Sequence, residues 1–140
     1  ANYSDGLVDL DLQAYVERAV ASGKIANFVS VRPNVTFHYV SADDDGTVRD
    51  IRSSEEADNW QNAGYFVFRK EIFDYIGPGE ELVTEPFHRL IRAGQLLTHK
   101  HHGFWACMDT YKEMQALNDM YSRGNAPWEL WKRRPPLARP

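Results

Sequence analysis

Two carboxylates, Asp5 and Asp109, stand at junctions where chemistry could sit. Asp109 closes the apolar run from Gly103 to Met108 and is followed at once by a helical pattern. Asp5 lies in Tyr3-Ser4-Asp5-Gly6, at the exit of what reads as a short strand. An aspartate at such a junction can cap a helix, close a turn or bind a metal. Two acidic groups at strand ends, far apart in sequence, suit a Mg²⁺ site that holds a phosphorylated substrate. Magnesium takes few carboxylates, at about 2.0–2.1 Å, and fills its remaining positions with water and phosphate oxygens. The pattern by itself leaves the capping and turn roles open beside the metal role.

Other residues invite chemistry less. His99, His101 and His102 raise the possibility of zinc, but no cysteine or further histidine completes a tetrahedral set at a usual spacing. Strand alternation puts His99 and His101 on one face and His102 on the other. Lys100 and Lys112 could meet a phosphate. The run Asp43-Asp44-Asp45-Gly46 lacks the spaced ligands and distal Glu of a calcium loop and reads as a turn. Cys107, the one cysteine, has no adjacent base and reads as a small buried hydrophobe. There is no Gly-rich phosphate loop and no nucleophile elbow in the chain.

Composition narrows the partners. Of 140 residues, 43% are apolar and 26% charged, which suits one globular domain with a real core. The net charge of −4, with basic residues concentrated only between Lys132 and Arg139, argues against nucleic acid. A single cysteine excludes an internal disulfide framework and fits the cytoplasm. No apolar run approaches a membrane span, and no signal peptide is recognisable. Ala1 opens without Met, turn or cap, as if inside a larger domain.

The elements that must position these groups are read from periodicity. Asp9 or Asp11 caps a helix to about Ser22, with Leu12, Val16, Ala19 and Val20 as its apolar stripe and Gly23 as its stop. Ile25 to Val31 is β-rich and nearly continuously apolar, like a strand buried on both faces, and Pro33-Asn34 breaks it. Phe37 to Val40 and Thr47 to Ile51 flank Asp45-Gly46 as a hairpin. A polar loop comes next, from Ser53 to Asn59, then a buried strand from Ala63 to Phe68. Lys70 to Ile76 is a short helix ended by Gly77-Pro78-Gly79, and Pro86 opens a second that runs to Ala93. Leu96 to His99 and Gly103 to Cys107 are short strands. Asp109 opens the last helix, whose stripe is Tyr111, Met114, Leu117 and Tyr121, and Trp128 and Trp131 anchor the final segment to the body. Strands alternating with helices, interrupted by one hairpin, predict an α/β fold with a mixed sheet.

Five segments carry a more specific signal. They are Trp60 to Phe68, Glu71 to Ile76, Glu85 to Leu90, His101 to Thr110, and Gly124 to Trp128. In this order they resemble the sugar-phosphate nucleotidyltransferases, and in particular the cytidylyltransferase branch, from Asn2 to about Trp131. The resemblance implies a Rossmann-like, glycosyltransferase-A-like mixed sheet flanked by helices. Residues 1–131 would be its C-terminal portion, with 132–140 a Pro/Arg-rich tail. It implies Mg²⁺-dependent transfer of a nucleotidyl group from a nucleoside triphosphate, CTP in that branch, to a sugar 1-phosphate, with release of pyrophosphate.

The family's two metal aspartates match Asp5 and Asp109, with Ser4 where the family has Gly. Asn62 and Gly64 match its sugar-lining strand. The family's triphosphate-binding loop belongs to an N-terminal half outside this chain, so the chain alone is expected not to turn over substrate. Surfaces left by that half predict association with another chain. Ser53-Ser54-Glu55 stands where the family has Glu-Lys-Pro, and His38, after Thr36-Phe37, where it has Gly; these departures leave two readings open, a different sugar or a weakened site. A non-catalytic module that binds a nucleotide sugar or serves assembly is the alternative reading.

Overall fold

The computed structural model describes residues 1–33, 37–54 and 56–132. Asn34 of the predicted break, Thr36, Glu55 and residues 133–140 of the tail lie outside them. Seven strands are present among the described residues: β1 (Gly6–Val8), β2 (Ala26–Val31), β3 (His38–Ala42), β4 (Val48–Ser53), β5 (Gln61–Phe68), β6 (Leu96–His101) and β7 (Trp105–Cys107). Three α-helices accompany them: α1 (Leu12–Ala21), α2 (Glu85–Arg92) and α3 (Tyr111–Ser122). Lys70–Tyr75 is a 3-10 segment.

The central sheet has the order β5-β2-β6. β5 pairs antiparallel with β2, and β6 pairs parallel with it, so the sheet is mixed as expected. β2 is the spine of the molecule. Its Val29 and Val31 join Val8, Leu10, Tyr15 and Ala63 in one apolar cluster. Its Ala26 joins Phe66, Ile72, Phe87 and Leu90 in the other, with Phe28 packed against it. A strand covered on both faces has no use for polar alternation, which explains the nearly continuous apolar run, with Asn27 and Ser30 as its buried polar residues.

Two small ladders complete the fold. β1 and β7 pair antiparallel, Leu7 opposite Ala106. β3 and β4 form the predicted hairpin, closed by the Asp43 to Gly46 turn, and every residue of β3 is exposed.

The helices depart from expectation in which face they bury. α1 is capped by Asp11, whose Oδ1 accepts from the Ala14 N–H at 3.2 Å. It turns Tyr15 and Ala19 inward and leaves Leu12, Val16 and Val20 exposed. The expected stripe is thus largely the outer face, because two apolar faces compete on this helix and periodicity does not say which meets the sheet. In α3 only Leu117 is buried, while Tyr111, Met114 and Tyr121 are exposed. Trp128 packs against Phe104 with ring centres 5.4 Å apart and planes tilted by 37°, whereas Trp131 is exposed instead of anchored.

α2 is held from two sides. The Arg89 guanidinium grips the Glu80 carboxylate with both nitrogens and donates to the Tyr75 carbonyl at 2.7 Å. The Lys24 ammonium meets the Gly94 carbonyl at the helix end, also at 2.7 Å. Among the described residues, no helix is long and apolar enough to cross a membrane.

Candidate functional site

Asp5 does not end a strand; it precedes one. Ser4 and Asp5 form a turn that enters β1, and Asp109 lies just past the exit of β7. Antiparallel pairing makes those two ends neighbours. Gly6 lies opposite Cys107, and the Met108 N–H donates to the Asp5 carbonyl at 3.0 Å. The backbone of Asp5 is therefore one hydrogen bond from the residue before Asp109.

The structure also frees Asp109 from the role that competed with metal binding. α3 is capped by Thr110, whose hydroxyl accepts from the Glu113 N–H at 3.3 Å while the Glu113 carboxylate accepts from the Thr110 N–H at 2.8 Å. That reciprocal pair satisfies the helix start and leaves Asp109 one residue outside it.

Asp109, Cys107 and Glu113 bring their ligand atoms within 4.8 Å of one another, the set of this kind among the described residues; Asp5 is not a member. The donor chemistry sorts this set. Burial, then the hydrogen bond to Asp109, push the Cys107 thiol up, so it stays protonated and soft at neutral pH. Glu113 is already engaged as a cap. Of this set Asp109 remains as the hard oxygen donor, the type Mg²⁺ takes in small number beside phosphate oxygens. Its donor chemistry fits that ion, and Asp5 is its neighbour through the backbone.

The sugar-side candidates sit against the same turn. β5 carries two extra residues between its pairings to Phe28 and Ser30, and Gly64 lies in this bulge at φ +76°. The Gly64 N–H donates to Asn62 Oδ1 at 2.9 Å, and its carbonyl accepts from the Tyr3 N–H at 2.8 Å. A Cβ on Gly64 would meet the Tyr3 ring at 2.6 Å. The close approach that requires glycine here is therefore made by the chain's own Tyr3. Two further bonds bind bulge, β1 and β7 together. Trp105 Nε1 donates to the Ala63 carbonyl at 2.9 Å, and the Tyr65 hydroxyl donates to the Gly6 carbonyl at 2.6 Å. Asp5, Asn62, Gly64 and Asp109 thus belong to one hydrogen-bonded neighbourhood.

A cleft of about 630 Å³ opens beside it, lined by Val31 to Pro33, His101 to Cys107 and the inner face of α3. Of the predicted residues it includes none, meeting their neighbourhood at Cys107 and Glu113. The histidines do not form a metal cluster among the described residues. His101 is bonded to Asp9 at 2.8 Å, His99 lies on Tyr15 and His102 on Trp60. Gly103 is wedged between Asp9 and His101; a Cβ there would meet the His101 ring at 2.7 Å.

Sequence reasoning missed one cluster. Trp60 has the Lys100 ammonium 4.7 Å from its ring centre and the Arg32 guanidinium 5.3 Å from it. Its indole N–H donates to Asp58 at 3.0 Å, and Asp58 pairs with Arg32 at the same distance. The strand period that set His99 and His101 apart from His102 also placed Lys100 with His102, and so held part of this signal.

Known proteins resemble this chain along most of its length. The chain is 31% identical over 132 residues to glucose-1-phosphate cytidylyltransferase of Salmonella typhi, and equally so to that of Salmonella typhimurium. The chain is thus similar to sugar-phosphate nucleotidyltransferases. The match covers 93% of this chain, which spans about half (51%) of the length of those relatives. In fold it is similar to a Bacillus anthracis structure assigned as a glucose-1-phosphate thymidylyltransferase, with a TM-score of 0.56 at 16% identity over 96% of this chain and 54% of that one. No protein-family model matches the chain. The nucleotidyltransferase resemblance of the five segments is thereby borne out, as is the mixed α/β architecture it implied.

Proposed function

We propose that this chain supplies the metal and sugar-phosphate side of a sugar-1-phosphate nucleotidyltransferase, with CTP as the nucleotide donor. In that reaction a phosphate oxygen of the sugar 1-phosphate bonds to the α-phosphorus of the triphosphate. The bond from that phosphorus to the bridging oxygen breaks, and pyrophosphate leaves. Asp5 and Asp109 would hold Mg²⁺. When bound, the ion neutralises phosphate charge that would otherwise repel the incoming anion.

The chain's own residues do the rest of the work on this side. Thr110 and Glu113 fix the start of α3, and with it the direction from which the Asp109 carboxylate is offered. The Cys107 thiol, held protonated, donates to Asp109 without competing as a ligand. Asn62 has its oxygen committed to Gly64 and keeps its NH₂ to donate to a sugar hydroxyl. The observation that supports this reading is the β1–β7 register, which makes the backbones of Asp5 and Asp109 near neighbours.

Exposed apolar side chains on α1 and the hairpin support association with another protein surface, and the lone cysteine suits a reducing cytoplasm. The test is turnover in the protein that carries this chain. Asp109→Asn is expected to lower Mg²⁺-dependent pyrophosphate release on the order of a thousandfold. Unchanged release would end this reading.

A further inference from the structure

The Trp60 cluster stands beyond the carboxyl ends of the parallel strands β2 and β6, where open α/β sheets take their ligands. It gathers Arg32 from the end of β2, Lys100 and His102 from the end of β6, and Trp60 from the start of β5. Arg32 and His102 also line the rim of the 630 Å³ cleft. Cations stacked on an indole keep their charge while shedding water on one side, and a guanidinium offers a flat fork matched to an oxyanion.

One oxyanion already tests the cluster's preference. Asp58 adopts the left-handed region at φ 44°, the sole non-glycine residue to do so among the described residues, and from there its carboxylate accepts from both Arg32 and the Trp60 indole. The hydrogen bond from Trp60, then the charge of Lys100, hold its carboxyl below the usual range. The cluster therefore stabilises negative charge, and Lys100 sets a positive charge beside the negative one of Asp58.

We propose that Trp60, Lys100, His102 and Arg32 form a binding site for a phosphate monoester, with the Asp58 carboxylate as a weak internal competitor for it. The site deepens the reading above: it rests on that reading only for the expectation that the monoester is a sugar 1-phosphate. It needs no metal, which separates it from Asp5 and Asp109.

The test is a titration of the isotope-labelled chain in EDTA, followed by the Trp60 indole N–H resonance, assigned with Trp60→Phe. The probes are inorganic phosphate, glucose 1-phosphate and glucose, with sodium chloride at matched ionic strength as control. The resonance is expected to move saturably with both phosphates and not with glucose or chloride. Lys100→Glu should weaken the apparent affinity at least tenfold, and Asp58→Asn should tighten it several-fold. Tighter binding of glucose 1-phosphate identifies the sugar phosphate as the occupant; equal binding assigns the site to phosphate itself. Absence of a saturable shift in the parent chain, or unchanged affinity in Lys100→Glu, would overturn the site. If that happens while Asp109→Asn still abolishes metal-dependent turnover, the phosphate site alone falls and the nucleotidyltransferase reading stands.

Discussion

β2 and the β3–β4 hairpin are both β-structure, yet they are held in opposite ways. Five of the six residues of β2 are buried, and it is paired on both edges. The hairpin exposes Phe37, Tyr39, Val40, Val48 and Ile51, and among the described residues it pairs with no other strand. It is closed by its own turn and by ion pairs such as Arg49 with Asp43. The spine derives its stability from burial and so fixes everything attached to it, including the turn that carries Asp5. The hairpin derives its shape from local turn chemistry and leaves an apolar surface to a neighbour.

Substitutions can break or sharpen this contrast. The largest effect is expected next to the spine. Leu90 is fully buried against Ala26 and Phe66, so Leu90→Ala should lower unfolding stability by about 2–5 kcal/mol in urea titration. Gly64→Ala comes next. It must adopt φ +76° and displace the Tyr3 ring, so a loss of about 1–3 kcal/mol is expected, with earlier proteolysis before Gly6. Loss without that proteolysis would show that Tyr3 does not latch the segment.

Thr110→Ala removes half of the α3 capping box and should cost about 1 kcal/mol by thermal unfolding. Glu80 separates the two regions by pH. Hydrogen bonding from Arg89, then from the Gly77 N–H, lowers its pKa to about 2. Because the unfolded chain binds this proton first, the contribution is fully present above the ordinary carboxylate range and is lost as pH falls towards about 2. Glu80→Gln should flatten the acid limb of the stability profile in that window. The smallest effect belongs to the hairpin. Ile51→Thr should change stability by less than about 0.5 kcal/mol while reducing self-association in sedimentation. A loss comparable to that of Leu90→Ala would show that the hairpin is part of the core after all.

Legibility in the sequence divides along the same line. The β2 run and the Asp45-Gly46 turn were legible because each signal is local: continuous burial, and a dipeptide suited to a tight turn. The inward face of α1 was not, since Tyr15 and Ala19 compete with Leu12, Val16 and Val20 at equally helical spacing. Capping was assigned to Asp109 where Thr110 holds it, because both residue types cap well and only the Glu113 partner decides. The strand expected before Asp5 is a turn plus a single bridge from Asn2 to Tyr65. Asp5 and Asp109 could be singled out, but their adjacency depends on a pairing between the two ends of the chain. The Trp60 cluster joins residues at the ends of three strands, and no single stretch of sequence contains it.

The latch between Tyr3 and Gly64 couples two things that look separate. The Tyr3 N–H is tied to the Gly64 carbonyl, and the Phe66 N–H to the Ala1 carbonyl, so the segment that carries Asp5 is sewn to the edge of β5. Anything that shears β5 would drag the Asp5 turn with it, a displacement transmitted by two stitches of main chain.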